Sequence, residues 1–316
     1  MLLRPSLKDY IWGGNKLPIQ YGKKTELSIV AESWEVSCHK NGESVIENGI
    51  YKGQALEEVL ESNQDYKGEN SKKFDKFPLL IKLIDANDKL SIQVHPDDKF
   101  ANAYENGEYG KTEVWYIVDA KEDAKLIYGF NRDIEKEEYR QAILDNKLQD
   151  ILNFVPIKKG DMFFIPAGLV HAICEGILIC EIQQNSDTTY RVYDWGRVDA
   201  DGIPRPLHID KAVEVSKLAG EKNTDFSLKS EQVGDNKIGV ISECEYFSAY
   251  KYDISNEIIL NSDFDSFSTL TFLEGNGRIS LSDYEENFNK GQTYFIPAGS
   301  GKYIVKGQCE FILSRI

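Results

Sequence analysis

The chain has 316 residues, 41% of them hydrophobic, and a formal net charge of −15. That length fits one large or two ordinary domains, and the negative charge argues against a nucleic-acid surface, which needs a basic footprint. No apolar run approaches the ~20 residues that span a bilayer, and the first residues, MLLRPSLKDY, lack the apolar core of a secretory signal. We therefore expect a cytoplasmic globular protein with no membrane or nucleic-acid partner.

The five cysteines are scattered along the chain without C-x-x-C spacing. An odd number without such spacing predicts reduced thiols rather than a disulfide framework. Cys174 and Cys180 lie close in sequence to His171, which is a candidate metal ligand discussed below, but their apolar neighbours favour packing over metal binding.

The first part of the chain mixes strand-like runs with a short helix. Residues 27–37 are typical of a strand, and residues 54–63 have apolar residues at helical spacing. Residues 77–86 and 89–95 are two apolar runs separated by Asn-Asp, which predicts a hairpin-like pair.

Helices and strands follow one another after Pro96. Asp97 or Asp98 is expected to cap a short helix. The periodicity then predicts two strands, one or two helices and a connecting helix, at residues 113–120, 124–130, 134–152 and 207–218. Residues 219–236 are polar and mark our domain boundary, after which the pattern is short strands and turns.

One sequence pattern occurs twice. Gly160–Ile173 reads GDMFFIPAGLVHAI, and Gly291–Ile304 reads GQTYFIPAGSGKYI. Self-similarity of this kind predicts a duplicated unit, and therefore two related β domains. The second copy has Lys302 where the first has His171, and no histidine follows His208. The second copy therefore cannot build the same histidine site.

Four residues have the side chains of a divalent metal site: Gln93, His95, Glu113 and His171. Gln93 and His95 are two apart in an apolar run, so a strand would place both on one face. His171 follows Pro-Ala-Gly, a turn signal that begins a new extended run. Imidazole and carboxylate are normal zinc ligands, although this set alone would also accept iron, cobalt or manganese. The alternative is that each histidine is a packed or hydrogen-bonded residue, as lone histidines usually are.

Four further ionisable residues are candidates for chemistry. Glu181 follows the apolar run 177–180, and a buried carboxylate without partners has a raised pKa, which suits a general base or acid. Arg191 can bind oxyanions with two parallel hydrogen bonds. Lys111 would share a strand face with Glu113, and Lys82 lies within an apolar run. The alternatives are a Glu181 that points outward and cations that are solvated on the surface.

Residues 160–171 match the pattern G-x5-P-x-G-x-x-H, which resembles the second motif of the cupins, small β-barrels grouped with the jelly rolls. The usual first cupin motif has H-x-H followed closely by Glu. Here Gln93-x-His95 takes its place, and Glu113 comes well downstream.

That departure resembles the type I mannose-6-phosphate isomerases. They carry Q-x-H, Lys-x-Glu, P-A-G-x-x-H-A and a Tyr-Arg segment, which occur here in the same order at residues 93–96, 111–113, 166–172 and 185–191. Trp12-Gly-Gly14 and Ala31-Glu-Ser-Trp-Glu35 also look like the family. The resemblance covers most of the chain and is closest to the compact bacterial branch.

The resemblance implies a mainly β fold with two cupin-type jelly-roll barrels. Residues 1–235 would form the catalytic domain, with a helical insertion near 131–153, and residues 236–316 a degenerate cupin domain without a metal site. The expected activity is that of a metal-dependent aldose–ketose isomerase. It would interconvert D-mannose 6-phosphate and D-fructose 6-phosphate through a cis-enediol, as a monomer or homodimer in the cytoplasm.

The resemblance also assigns roles to residues. One Zn²⁺ ion per chain would be bound by Gln93, His95, Glu113 and His171. The expected catalytic residues are Arg191, Glu181 and Lys111, and the expected contacts to the phosphorylated sugar are Lys82, Lys111 and Arg191. Two other functions stay open on the residues: a cupin that binds a sugar without turnover, and an Fe(II) cupin oxygenase.

Overall fold

The computed structural model describes residues 1–198, 201–222 and 225–316. Strands dominate its regular structure, so the prediction of a mainly β fold is confirmed. The strands, in chain order, are β1 Leu2–Arg4, β2 Ser6–Lys8, β3 Glu32–Val36, β4 Cys38–His39, β5 Gly42–Glu43, β6 Val45–Ile46, β7 Leu79–Ala86, β8 Ile92–Val94, β9 Glu113–Ala120, β10 Lys125–Phe130, β11 Leu152–Pro156, β12 Met162–Ile165, β13 His171–Ile173, β14 Ile177–Gln184, β15 Tyr190–Tyr193, β16 Ser230–Val233, β17 Asn236–Glu243, β18 Ser248–Ile254, β19 Glu257–Ser262, β20 Ser268–Leu281, β21 Tyr284–Asn289, β22 Thr293–Ile296 and β23 Gly301–Arg315.

Helices are short and few among the described residues. They are α1 Lys16–Tyr21, α2 Leu56–Ser62, α3 Asp98–Tyr104, α4 Lys136–Leu144 and α5 Ile209–Val215, with 3-10 turns at Gly49–Tyr51, Gln64–Lys67, Glu69–Lys73 and Leu148–Ile151. Asp97 caps α3, as predicted, because its side chain accepts a hydrogen bond from the Phe100 N–H at 2.8 Å. No helix in the described part of the chain is long and apolar enough to cross a membrane.

The chain divides into two compact units. The first contains Met1–Asp85, Cys180–Asn185 and Ser227–Ile316. Its largest sheet has the strand order β16-β17-β18-β23-β20-β22-β1-β6, with β19 paired to β23 and β21 paired to β20. One face of this sheet buries aromatic rings, of which Phe272 and Phe288 stack with their centroids 3.8 Å apart. A separate run of antiparallel pairs joins β2 to β3 and β3 to β7.

The second unit contains Ala86–Ile179 and Ser186–Phe226. Its five-stranded sheet has the order β11-β10-β13-β8-β15, and β9 pairs antiparallel with β12. The division of the chain at residues 235 and 236 into a catalytic and a degenerate cupin domain stays a prediction.

The two copies of the repeated pattern adopt the same local structure. Each forms a strand, a Pro-Ala-Gly turn and a second strand: β12 and β13 in the first copy, β22 and β23 in the second. The turns are closed by equivalent hydrogen bonds, from the Leu169 N–H to the Pro166 oxygen and from the Ser300 N–H to the Pro297 oxygen. The turn glycines, Gly168 and Gly299, both have positive φ, a conformation that favours glycine.

The predicted pairing of residues 77–86 with 89–95 is wrong. The strands form as expected, but β7 pairs with β3, whereas β8 lies between β13 and β15. Apolar alternation identifies a strand from local sequence, but the partner of that strand depends on residues far away in the chain.

Candidate metal centre

Three predicted metal ligands come together in the second unit. One ligand atom from each of His95, Glu113 and His171 lies within 4.8 Å of the others, and all three residues are buried. The Nε2 atom of His171 is 3.5 Å from Glu113 Oε1, and the Nε2 atom of His95 is 3.8 Å from the same oxygen. Buried imidazole and carboxylate groups at these separations can converge on a single cation.

Strand pairing brings the three side chains together. His95 directly follows β8, and its carbonyl accepts a hydrogen bond from the Gly168 N–H at 2.9 Å, within the Pro-Ala-Gly turn. Glu113 begins β9 and pairs with Ile165, directly before that turn. His171 begins β13 immediately after it. The repeated turn therefore fixes the backbone of all three residues.

Hydrogen bonds define which nitrogen of each histidine faces Glu113. His95 Nδ1 is 2.9 Å from the Thr188 oxygen, and His171 Nδ1 is 2.8 Å from the Leu169 oxygen. A carbonyl oxygen only accepts, so each Nδ1 carries a proton, and in the neutral ring Nε2 is then the acceptor. This arrangement orients histidines that bind a metal. The donor set thus fits Zn²⁺ or a similar divalent ion.

Gln93 lies beside His171 in the sheet and two residues before His95. It is directly opposite His171 in the β8–β13 pair, and side chains directly opposite one another in an antiparallel pair share a face. Its Oε1 atom is 3.5 Å from Ser91 Oγ. The role of Gln93 as a fourth ligand stays a prediction.

Lys111 contacts two of the three clustered residues. Its Nζ atom is 2.9 Å from Glu113 Oε2 and 3.2 Å from His95 Nε2. The side chain is buried, and the Lys111 N–H donates to the Pro96 oxygen at 3.0 Å. The structure therefore places a buried ammonium group directly beside the candidate metal centre.

Arg191 lies in the same row of the sheet as two predicted ligands. It is directly opposite Gln93 in the β15–β8 pair, and Gln93 is in turn opposite His171. Arg191, Gln93 and His171 thus share one sheet face across three strands. Burial and the neighbouring charge of Arg205 lower the pKa of Arg191 from its ordinary value.

Lys82 and Glu181 belong to the first unit, where they form an ion pair. Lys82 Nζ is 3.1 Å from Glu181 Oε1 and 3.8 Å from Glu32 Oε2. Glu32 in turn accepts a hydrogen bond from Trp34 Nε1 at 2.7 Å, and Lys82 lies over the Trp34 ring. Glu181 is buried, as predicted. Sequence analysis identified Glu181 and Lys82 separately but missed their pairing.

The second copy of the repeat has different side chains at the corresponding positions. Register and turn contacts match Asn261 to Gln93 and Lys302 to His171, since Asn261 pairs with Lys302 as Gln93 pairs with His171. Asp263 corresponds to His95, because its carbonyl accepts from the Gly299 N–H. Ser268 corresponds to Glu113, because it pairs with Ile296. Asp263 pairs instead with Arg315 at 3.0 Å.

Comparison with known proteins identifies the family. Residues 1–111 match the model for the catalytic domain of type I phosphomannose isomerase, and residues 237–316 match the model for the cupin domain of mannose-6-phosphate isomerase. The chain is 41% identical over 318 residues to mannose-6-phosphate isomerase ManA of Bacillus subtilis, covering 100% of the chain and 98% of that relative. It is 38% identical over 315 residues to a mannose-6-phosphate isomerase of Streptococcus mutans, with the same coverage. The chain belongs to the type I mannose-6-phosphate isomerase family.

Solved structures agree with this isomerase family. The crystal structure of mannose 6-phosphate isomerase from Bacillus subtilis has a TM-score of 0.93 and 38% identity, covering 100% of this chain and 99% of that one. A putative mannosephosphate isomerase from Archaeoglobus fulgidus shares the fold, with a TM-score of 0.77 and 21% identity over 99% of this chain and 97% of that one. The family and mainly β fold predicted from the sequence are confirmed. The number of jelly-roll barrels stays a prediction.

Cysteines contribute nothing to the candidate site of this isomerase-family chain. All five are free thiols, as predicted. Burial raises the pKa of Cys174 to about 11 and raises that of Cys180 further, so both thiols are protonated at neutral pH.

Sequence analysis missed a basic cluster beside Arg191. Arg197 and Arg205 both donate hydrogen bonds to the Asp194 carboxylate at 2.6 Å, and His208 is hydrogen bonded to the backbone of Arg191. The run from Tyr190 to His208 contains all of these residues. Its density of arginine, in a chain of net charge −15, was the signal available in the sequence.

Proposed function

We propose that this chain is a metal-dependent aldose–ketose isomerase that interconverts D-mannose 6-phosphate and D-fructose 6-phosphate. The observation that carries the proposal is the buried set of His95, Glu113 and His171 in a chain that belongs to the mannose-6-phosphate isomerase family. The reaction moves a proton between C2 and C1 of the open-chain sugar through a cis-enediol.

The proposed cofactor is one Zn²⁺ ion per chain, held by His95, Glu113, His171 and Gln93. Two Nε2 acceptors and a carboxylate oxygen face one another, and such a group is electrostatically favourable around a cation. When bound, the metal supplies a Lewis acid for the sugar's carbonyl and hydroxyl oxygens. The choice of zinc over iron, cobalt or manganese rests on the family resemblance.

Arg191 is proposed to bind and stabilise negative charge. A guanidinium makes two parallel hydrogen bonds to a phosphate or enediolate. Its position on the sheet face of Gln93 and His171 supports this role. Lys111 is proposed to contact sugar hydroxyls or phosphate and to assist proton transfer between hydroxyls, because its ammonium group already contacts Glu113 and His95.

Glu181 is proposed as the base that takes and returns the proton between C2 and C1. Its buried carboxylate is a strong hydrogen-bond acceptor, and the ammonium of Lys82 at 3.1 Å orients it. Lys82 is proposed to contact the substrate as well.

We also propose that the protein is cytoplasmic and that it is a monomer or a homodimer.

The test is conversion of mannose 6-phosphate to fructose 6-phosphate, coupled to a dehydrogenase readout. We expect activity that a chelator abolishes and Zn²⁺ restores. Substrate binding without turnover in folded, metal-loaded protein would favour a sugar-binding cupin instead. Oxygen consumption with Fe(II) and a substrate would favour an oxygenase.

The roles of individual residues need variants as well. Arg191→Ala and Glu181→Gln should each retain bound metal and lose most turnover, by about 10²-fold or more. Near-normal turnover in either variant would remove that residue from the mechanism.

A further inference from the structure

The edge strand β15 is hydrogen bonded at Arg191 by a residue that does not belong to a strand. β15 is the last strand of the five-stranded sheet, paired on one side with β8. On the other side, the His208 N–H donates to the Arg191 oxygen at 2.8 Å, and the Arg191 N–H donates to His208 Nδ1 at 3.2 Å. One residue therefore satisfies both backbone groups of Arg191. An imidazole nitrogen takes the place that a carbonyl of a neighbouring strand would normally occupy.

The same segment also holds the Arg191 side chain. Arg191 Nη1 donates to the Pro206 oxygen at 3.0 Å. Residues 205–208, called the strap below, thus contact Arg191 at its backbone N–H, its carbonyl and its guanidinium. Contacts at three points restrict both the main chain and the side chain of a long flexible residue.

The other end of the strap is fixed by Asp194, one residue after β15. Arg205 donates to both carboxylate oxygens, from Nε at 2.7 Å and from Nη2 at 2.6 Å, and Arg197 donates to the same group. Burial would raise the pKa of Asp194, but the hydrogen bonds from Arg205 and Arg197 lower it below its ordinary value. Paired hydrogen bonds between arginine and carboxylate are strong and geometrically specific. The strap is therefore attached at both ends to β15 and its continuation.

We infer that His208 is a positioning residue for Arg191, acting through its Nδ1 atom and the strap. The inference rests on the role proposed above for Arg191 in catalysis. Because Nδ1 accepts from the Arg191 N–H, the proton of a neutral His208 is on Nε2. Burial and the nearby charges of Arg191 and Lys211 lower the pKa of His208, which favours that neutral form.

Three substitutions of His208 separate positioning from direct contact with the substrate. The amide oxygen of asparagine lies near the place of Nδ1, whereas the amide of glutamine reaches the place of Nε2. We expect His208→Ala and His208→Gln to lower kcat/KM by about 10- to 100-fold, mostly through kcat, because misplacing a catalytic group by about 1 Å costs that much. His208→Asn should stay within about threefold of the wild type, because it keeps the Nδ1 acceptor. Bound metal should be unchanged in all three variants.

Two results would overturn the inference. One is full activity in both His208→Ala and His208→Gln. The other is rescue by glutamine and not by asparagine, which would make His208 a substrate contact through Nε2. If the alanine variant does not fold, the activities of His208→Asn and His208→Gln still show whether His208 acts through Nδ1 or through Nε2.

A measurement without turnover separates this inference from the proposed function. Amide hydrogen exchange at Arg191 should quicken by about tenfold or more in His208→Gln relative to wild type, and not in His208→Asn, because exchange follows local opening of the hydrogen bond. Equal exchange in wild type and His208→Gln would overturn the positioning role. A wild-type protein without isomerase activity but with this exchange pattern would instead refute only the proposed function.

Discussion

His95 and His171 each donate a hydrogen bond from Nδ1–H to a backbone carbonyl, so the main chain sets the orientation of both rings. Rings fixed in this way need little reorganisation to bind a cation, and that lowers the entropy cost of binding. The fold therefore orients the two imidazoles of the candidate metal centre, and Glu113 adds a carboxylate beside them.

Replacing one of these rings tests the metal centre directly. His171→Ala should weaken Zn²⁺ binding by at least about 100-fold, because loss of a ligand costs more than loss of its hydrogen-bonding partner. The measurement is metal content by mass spectrometry after dialysis against a weak chelator. Lys302→Ala is the matched control, because Lys302 is the exposed counterpart of His171 in the second copy. A His171→Ala protein that retains one metal ion per chain would contradict the assignment.

A substitution of Lys111 tests how the charge of Glu113 is balanced in the candidate metal centre. It is the buried cation beside Glu113, so Lys111→Met should destabilise the metal-free protein by about 3–5 kcal/mol, the usual cost of breaking a buried ion pair. The metal-loaded protein should lose clearly less stability, because the metal compensates the carboxylate. Urea unfolding of both forms measures the difference, with the exposed pair of Lys121 and Glu175 as a control through Lys121→Met. Equal losses in the two forms would contradict this account.

At the scale of helices and strands, local signals were predictable and pairings were not. The cap at Asp97 and the helix that begins after it follow from a few neighbouring residues. The placement of β8 between β13 and β15 depends on segments far apart in the chain, so the sequence did not indicate it. The ion pair of Lys82 with Glu181 and the strap on Arg191 are long-range contacts of the same kind.

The candidate metal ligands are long-range neighbours that could be predicted from the sequence. They lie in short motifs, and a family that shares those motifs also shares the arrangement of the residues. The spacing of Gln93 and His95, and of the turn before His171, was recognisable in the sequence by resemblance to a family. No comparable motif marks Arg205 or His208, and their contacts became visible only in the folded chain.

The repeated pattern begins in each copy with a glycine, and the two glycines form a matched pair. Gly160 and Gly291 both have positive φ, at 92° and 83°. A Cβ at Gly160 would meet no atom within 4 Å, whereas a Cβ at Gly291 would lie 2.1 Å from the Tyr21 carbonyl oxygen. Gly160→Ala should therefore cost only the backbone strain, about 1–3 kcal/mol, and Gly291→Ala substantially more. Thermal or urea unfolding compares the two, and equal losses would show that the contact with Tyr21 carries no cost.

For the whole molecule, net charge and local charge have opposite signs. The chain carries −15, yet Arg191, Arg197 and Arg205 lie near one another, and Arg197 and Arg205 share the carboxylate of Asp194. Clustering cations against the global field gives a local attraction for an anionic sugar phosphate. The negative charge elsewhere opposes binding of polyanions such as nucleic acid.

Metal binding should also be visible in the stability of the whole protein. The candidate ligands come from three separate segments of the second unit: His95 directly follows β8, Glu113 begins β9 and His171 begins β13. An ion bound by all three would resist separation of those strands. A ligand at about 1,000 times its Kd stabilises the native state by about 4 kcal/mol, which predicts a rise in Tm of at least about 4 °C. Calorimetry of chelated protein with and without added Zn²⁺ measures the rise. His171→Ala, with binding at least about 100-fold weaker, should cut the stabilisation to about 1.4 kcal/mol or less and lower the rise in proportion, whereas Lys302→Ala should keep the full rise. The comparison separates binding at this centre from weak association of zinc with the acidic surface. An equal rise in wild type and His171→Ala would place the metal elsewhere, since a cation held by surface carboxylates does not depend on that imidazole.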